Sequence, residues 1–169
     1  MRLPWLVVNL LTAFLAALTV KAFESTIAQV VALSATMSIV TGMGGNAGTQ
    51  TVSIIIRNLA MGKVKFRDVG KLLGKEIALG LINGAVIGLI TGITVAAIYH
   101  NLFLGIIIFL AMIGNLVISG FFGLIIPLVL EKLKVDPALS SSIFLTTATD
   151  VLGFFLFLSL ASLFLPKLL

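Results

Sequence analysis

Six carboxylates occur in this chain of 169 residues, and one of them lies where a carboxylate is costly. Asp150 falls near the middle of the apolar run 139–165, which contains no Lys or Arg. A charge at the centre of a bilayer costs roughly 2.5–3.5 kcal/mol on insertion scales, so an ionisable group there is a functional candidate. A bound cation would remove that penalty; a neutral Asp hydrogen-bonded to a neighbouring helix is the plainer alternative. Ser142 and Thr146 precede Asp150 at four-residue steps, and Gly153 follows one turn later, so all four share a helical face. This face carries oxygen ligands suited to a metal ion. Ser140, Ser141, Thr147 and Thr149 read instead as hydroxyls bonded back to their own helix.

A second polar concentration is TGMGGNAGTQTVS, residues 41–53. Its glycines weaken a helix and are expected to free carbonyl oxygens. Irregular backbone at membrane depth is tolerated only inside protein or along a water-filled cavity. Gly44, Gly45, Asn46 and Gln50 are therefore expected to line a pore, together with Gly153. Close packing would explain the glycines but not the carboxamides of Asn46 and Gln50. No Lys-Ser or Lys-Thr pair follows, so this is not a phosphate-binding loop. His100 stands alone, without partners for a metal site. No serine, histidine and acid combine into a hydrolytic site, and Asp150 is too isolated for a metal-dependent transferase. The chain is not expected to be an enzyme, and it has no catalytic or cofactor-binding residues.

The elements that must hold these residues are apolar. Hydrophobic residues make up 60% of the chain and charged residues 10%, against about 25% charged in soluble domains. Mean hydropathy is +1.25. A soluble enzyme or binding module is excluded, and an all-α integral membrane protein is the expected class. Spans are expected at about 3–20, 27–56, 77–98, 103–130 and 139–165, each close to the roughly 20 residues a crossing needs. The second is polar in its latter half and too long for one straight span. Only residues 57–76 read as a sizeable aqueous loop. Gly80, Gly84, Gly88 and Gly92 form a small-residue ridge for close helix contact, with Asn83 beside it as an interhelical hydrogen bonder. Pro127 is expected to kink or end the fourth span. The first run also resembles a signal peptide, but its length favours a retained helix.

The net charge of +5 is explained by position. With the N-terminus inside, Arg2, Arg57, Lys63, Lys65, Arg67, Lys71, Lys75, Lys132 and Lys134 are cytoplasmic, and only Lys21 and Lys167 lie outside. Anionic membrane lipids are the natural partners, and nucleic acid is not. There is no cysteine, so thiolate chemistry is excluded.

The runs GMGGNAGTQTVSIIIRNLAMG, GKEIALGLINGAVIG and PLVLEKLKVDPALSSSIFLTTATDVLGFFLF resemble the MgtE magnesium transporter family, in order and spacing along nearly the whole chain. The resemblance implies a homodimer of five-helix protomers in the plasma membrane, with the pore on the two-fold axis and the second and fifth helices lining it. It implies that Asp150 binds the ion, with Thr146 and Ser142 one and two turns earlier. The family often has asparagine where Ser142 stands, and proline before the Gly-rich segment where this chain has Ser38. Members commonly carry cytoplasmic sensor domains; residues 1–169 are expected to form one transmembrane pore domain with no soluble regulatory domain.

The chemistry of the residues agrees. Magnesium prefers oxygen ligands and keeps several waters. Neither Cys nor His lies near Asp150 to select a soft metal. The expected activity is passive inward conduction of hydrated Mg2+, or of another divalent cation. A sodium- or proton-coupled carrier and a non-conducting scaffold subunit are the rival readings.

Overall fold

The protein is described by a computed structural model covering residues 3–64 and 68–168. Arg2, Lys65 and Arg67, three of the basic residues used for the orientation, lie outside the described residues. Regular structure among the described residues is helical, without strands: α1 (Leu3–Ala22), α2 (Glu24–Gln29), α3 (Ala32–Ala60), α4 (Val69–Tyr99), α5 (Leu102–Lys132), α6 (Pro137–Leu163) and α7 (Leu165–Leu168). Four of these, α1, α4, α5 and α6 from Ser140, are long and apolar enough to cross a membrane.

The expected second span differs in two ways. Residues 24–29 form a separate short helix, because Val30 leaves helical geometry at φ −131° and ψ 86°. The long helix then starts at Ala32, and α3 is too polar to count as a membrane span by hydropathy. The expected aqueous loop 57–76 is also much shorter, since helix covers its first four residues and everything from Val69 onward. Helices of 29 and 31 residues are about 44 and 46 Å long. Both are longer than the roughly 30 Å of a bilayer's hydrocarbon core.

The helix ends have local causes. After α3, Gly62 takes φ 65°. The amide of Gly62 then donates to the Leu59 carbonyl at 2.9 Å, and that of Lys63 to the Asn58 carbonyl at 2.9 Å. This is a Schellman cap, and its left-handed position is where glycine costs least. Asn101 opens α5 by accepting from the Leu104 amide at 3.0 Å, and it ties down the chain's far end by donating to the Leu168 carbonyl at 3.2 Å. Asp136 caps α6 by accepting from the Ala138 amide at 2.9 Å, with Pro137 next. Asp136→Ala is expected to destabilise the protein by about 0.5–2 kcal/mol, read as a lower unfolding midpoint in detergent. An unchanged midpoint would mean that tertiary packing alone fixes this helix start.

α5 is the centre of the bundle. It is apolar nearly all round, and α3, α4 and α6 all pack against it. Pro127 is buried within it, yet the helix continues to Lys132, so the expected termination there does not occur. The glycine ridge of α4 does what its spacing predicts. A Cβ at Gly84 would come within 2.6 Å of the Ile113 Cα, and one at Gly92 within 2.7 Å of the Gly105 carbonyl. Backbone therefore meets backbone along α4–α5. α1 leans on α6, with Trp5 edge-on to Phe144, and its apolar side chains stay largely exposed, as for a lipid-facing helix.

Candidate cation site

The Gly-rich segment is not irregular: residues 41–53 belong to the unbroken helix α3. Its glycines serve close approach. A Cβ at Gly48 would meet the Leu145 side chain at 2.6 Å. At Gly44 it would collide with the Asn115 carboxamide, and at Gly153 it would come within 2.9 Å of Asn115 Oδ1. Asn115 of α5 is fully buried and wedged between the glycines of two other helices. Its Nδ2 donates to the Val40 carbonyl at 2.7 Å, and Ser119 Oγ donates to the Gly44 carbonyl at 2.6 Å. The segment expected to free its carbonyls stays helical, and one of them, at Gly44, takes a further donor from α5. Periodicity drew attention away from Asn115 and Ser119. The available signal was two polar residues four apart in the most apolar helix of the chain.

This wedge closes one side of the α3–α6 seam. Gly45 abuts Thr149 across the seam, and Gly48 abuts Leu145. Turning away from α5, α3 next presents Ser38, Gly42, Thr49 and Ser53, all exposed. On α6 the same turn leads to exposed Ser142 and then to half-buried Thr146 and Asp150. The helical register therefore sets two polar stripes side by side on one open face. Asn46 is exposed at the far edge of the α3 stripe. Gln50 lies further round, in a cleft facing α4. Gly44 and Gly153 are buried in the wedge, while Gly45 is half-buried at the seam. Thr49 and Ser53 extend the face beyond the residues expected from sequence.

Hydroxyl geometry separates the α6 residues. Thr146 donates to the Ser142 carbonyl at 3.0 Å and to the Ile143 carbonyl at 3.1 Å, which leaves its lone pairs available to a cation. Ser140, Thr147 and Thr149 bond back to α6 as expected. Ser141 does not: its Oγ is buried and has no hydrogen-bond partner. Asp150 has no Lys or Arg beside it on α6. Among the described residues no three His, Cys, Asp or Glu gather into a metal cage.

A helical bundle with four spanning-length helices has the architecture of a polytopic membrane protein. Comparison with known proteins places it more closely. Residues 37–160 match the family MgtE, described as a divalent cation transporter, and the chain belongs to that family. It is 37% identical over 164 residues to the magnesium transporter MgtE of Enterococcus faecalis, covering 97% of this chain and 36% of that protein. It is 34% identical over 167 residues to the magnesium transporter MgtE of Bacillus subtilis, covering 99% and 37% respectively. The Thermus thermophilus protein of the same name is 34% identical over 169 residues, covering 97% and 36%. The chain therefore spans a little over a third of the length of these curated relatives. Their names denote transport rather than catalysis.

Proposed function

We propose that this chain forms the membrane pore of a divalent cation transporter and conducts hydrated Mg2+ into the cytoplasm. The observation that carries this reading is the carboxylate of Asp150, which lacks a basic neighbour on its helix and stands with Thr146 and Ser142 on the open polar face of α3 and α6. A polar face of that length is unstable against lipid. A second copy facing it across a two-fold axis would enclose a water-filled path lined by both stripes. Residues 1–169 then act as one pore domain, and α3 is the fifth span, its polarity turned to water. Two symmetry-related Asp150 side chains would hold the ion through its waters, which suits a cation that dehydrates reluctantly. Gly45 and Asn46 border that path. Gly44 and Gly153 shape it from behind, and Gln50 acts outside it.

The distribution of basic residues supports an N-terminus in the cytoplasm and a C-terminus outside, with anionic lipids at the inner surface of the plasma membrane. The driving force is the membrane potential, worth about 2.3 kcal/mol per charge at 100 mV and twice that for a divalent ion.

Purified protein in liposomes with an imposed negative interior potential, and no sodium or proton gradient, should take up Mg2+. Flux that tracks the potential supports conduction. Flux that requires a sodium or proton gradient would replace the channel by a coupled carrier, and no flux with any of magnesium, calcium, manganese or cobalt would leave a scaffold.

A further inference from the structure

A second polar cavity lies on the opposite side of α3 from the α6 stripe. Gln50 and Thr51 of α3 face Glu76 and Asn83 of α4 across a cleft of about 150 Å³, backed by Gly80 and Gly120. The glycines bring α4 and α5 together behind it: a Cβ at Gly120 would lie 2.9 Å from the Glu76 carbonyl, and one at Gly80 would lie 2.8 Å from the Leu116 carbonyl. Thr51 donates to Glu76 Oε2 at 3.1 Å. Among the described residues no Lys or Arg lines the cleft. Among the described residues Asn83 has no interhelical hydrogen-bond partner, contrary to its expected role, and it lines this space. Glu76 sits seven residues inside α4, about 10 Å from its start, and Asn83 about 10 Å deeper. The cleft thus runs from the inner membrane boundary toward the middle.

We propose that this cleft binds a small monovalent cation such as sodium, held by the Glu76 carboxylate and the carboxamide oxygens of Gln50 and Asn83. The donors are all oxygen, which selects a hard cation. The single carboxylate balances one positive charge. A divalent ion there would leave one positive charge uncompensated by the described lining residues. A volume of about 150 Å³ holds an ion with a few waters, at roughly 30 Å³ each. The bound ion joins α3 to α4, which otherwise barely touch because each packs on α5. This site rests on the membrane reading and not on transport through Asp150.

Thermal unfolding of the detergent-purified full chain tests it, with sodium chloride compared against the chloride of a large organic cation at equal ionic strength. Saturating sodium should raise the midpoint by roughly 3–6 °C, as expected for ligand about tenfold above Kd. The rise should persist in Asp150→Asn and disappear in Glu76→Gln, with Asn83→Leu and Gln50→Leu reducing it. If Glu76→Gln does not fold, loss in the two carboxamide variants carries the test. A sodium effect that survives Glu76→Gln, or survives both carboxamide variants, overturns the site, as does no sodium effect in the wild type. Stabilisation by magnesium alone, lost in Asp150→Asn, would also overturn it while leaving the pore reading intact.

Discussion

Asp150→Ala is expected to abolish magnesium flux into liposomes while leaving the fold and assembly of the protein unchanged. The side chain is half-buried and lies beside the seam rather than within it, so its removal opens no packed core. What disappears is charge. A unit pair 4 Å apart is worth about 1 kcal/mol in bulk water and about 4 kcal/mol at an effective dielectric constant of 20. A divalent ion doubles either figure. Even the lower value, about 2 kcal/mol per carboxylate, corresponds to a roughly 30-fold weaker interaction. Asp150→Asn keeps the shape and the hydrogen-bonding capacity and should fail equally, which separates charge from geometry. Asp150→Glu retains the charge and should retain part of the flux. Flux in Asp150→Asn equal to wild type would remove Asp150 from the ion's path.

The second large effect concerns stability. A methyl at Gly44 runs into the Asn115 carboxamide, whose Cγ would be 2.8 Å away, and the opposite side of that carboxamide faces Gly153, where an added Cβ would lie 2.9 Å from Oδ1. Gly44→Ala should therefore break the Nδ2 bond to the Val40 carbonyl and pry α3 from α5. Overpacking costs about 1–3 kcal/mol, and a buried amide left without its partner adds about 1–3 kcal/mol. Asn115→Ala removes the obstacle, so the Gly44→Ala/Asn115→Ala double variant should be more stable than the sum of the single losses predicts. Unfolding midpoints of the four proteins in detergent measure the coupling. Strict additivity would show that Gly44 and Asn115 do not meet as described.

Both effects depend on how much of the structure one-dimensional pattern could reveal. The α4 ridge was legible because four glycines at four-residue spacing can only form one narrow stripe, and a backbone contact is what such a stripe permits. The Asp136–Pro137 start of α6 was legible because a cap is a local event. The Gly-rich segment misled for a related reason. Glycine lowers helix propensity in isolation, but here packing against Asn115 and Leu145 outweighs that preference, and the helix stays continuous.

Neighbour identity was the harder matter. Asn46 and Gln50 are four residues apart, and sequence placed them on one pore-lining face. Their shared stripe drifts around α3, so Asn46 borders the face that carries on to Asp150 while Gln50 turns to Glu76. Glu76 is flanked by Lys71 and Lys75 in sequence, which says nothing of its partner on α3. Its hydrogen bond to Thr51 spans 25 positions and has no local signature.

Sequence by itself determined that the chain is apolar and helical enough for a membrane protein, that Asp150 lies in a long run without Lys or Arg, and which face of α4 meets a neighbouring helix. Composition and periodicity decide these, because lipid penalises charge and helical geometry repeats every 3.6 residues. The tertiary structure alone decided that Asn115 wedges between α3 and α6, that the Val40 and Gly44 carbonyls have side-chain donors, and that polar residues of α3 divide between two faces. A nearly uniformly apolar helix such as α5 has no face that names its partners. Those are chosen by where small residues let backbones approach.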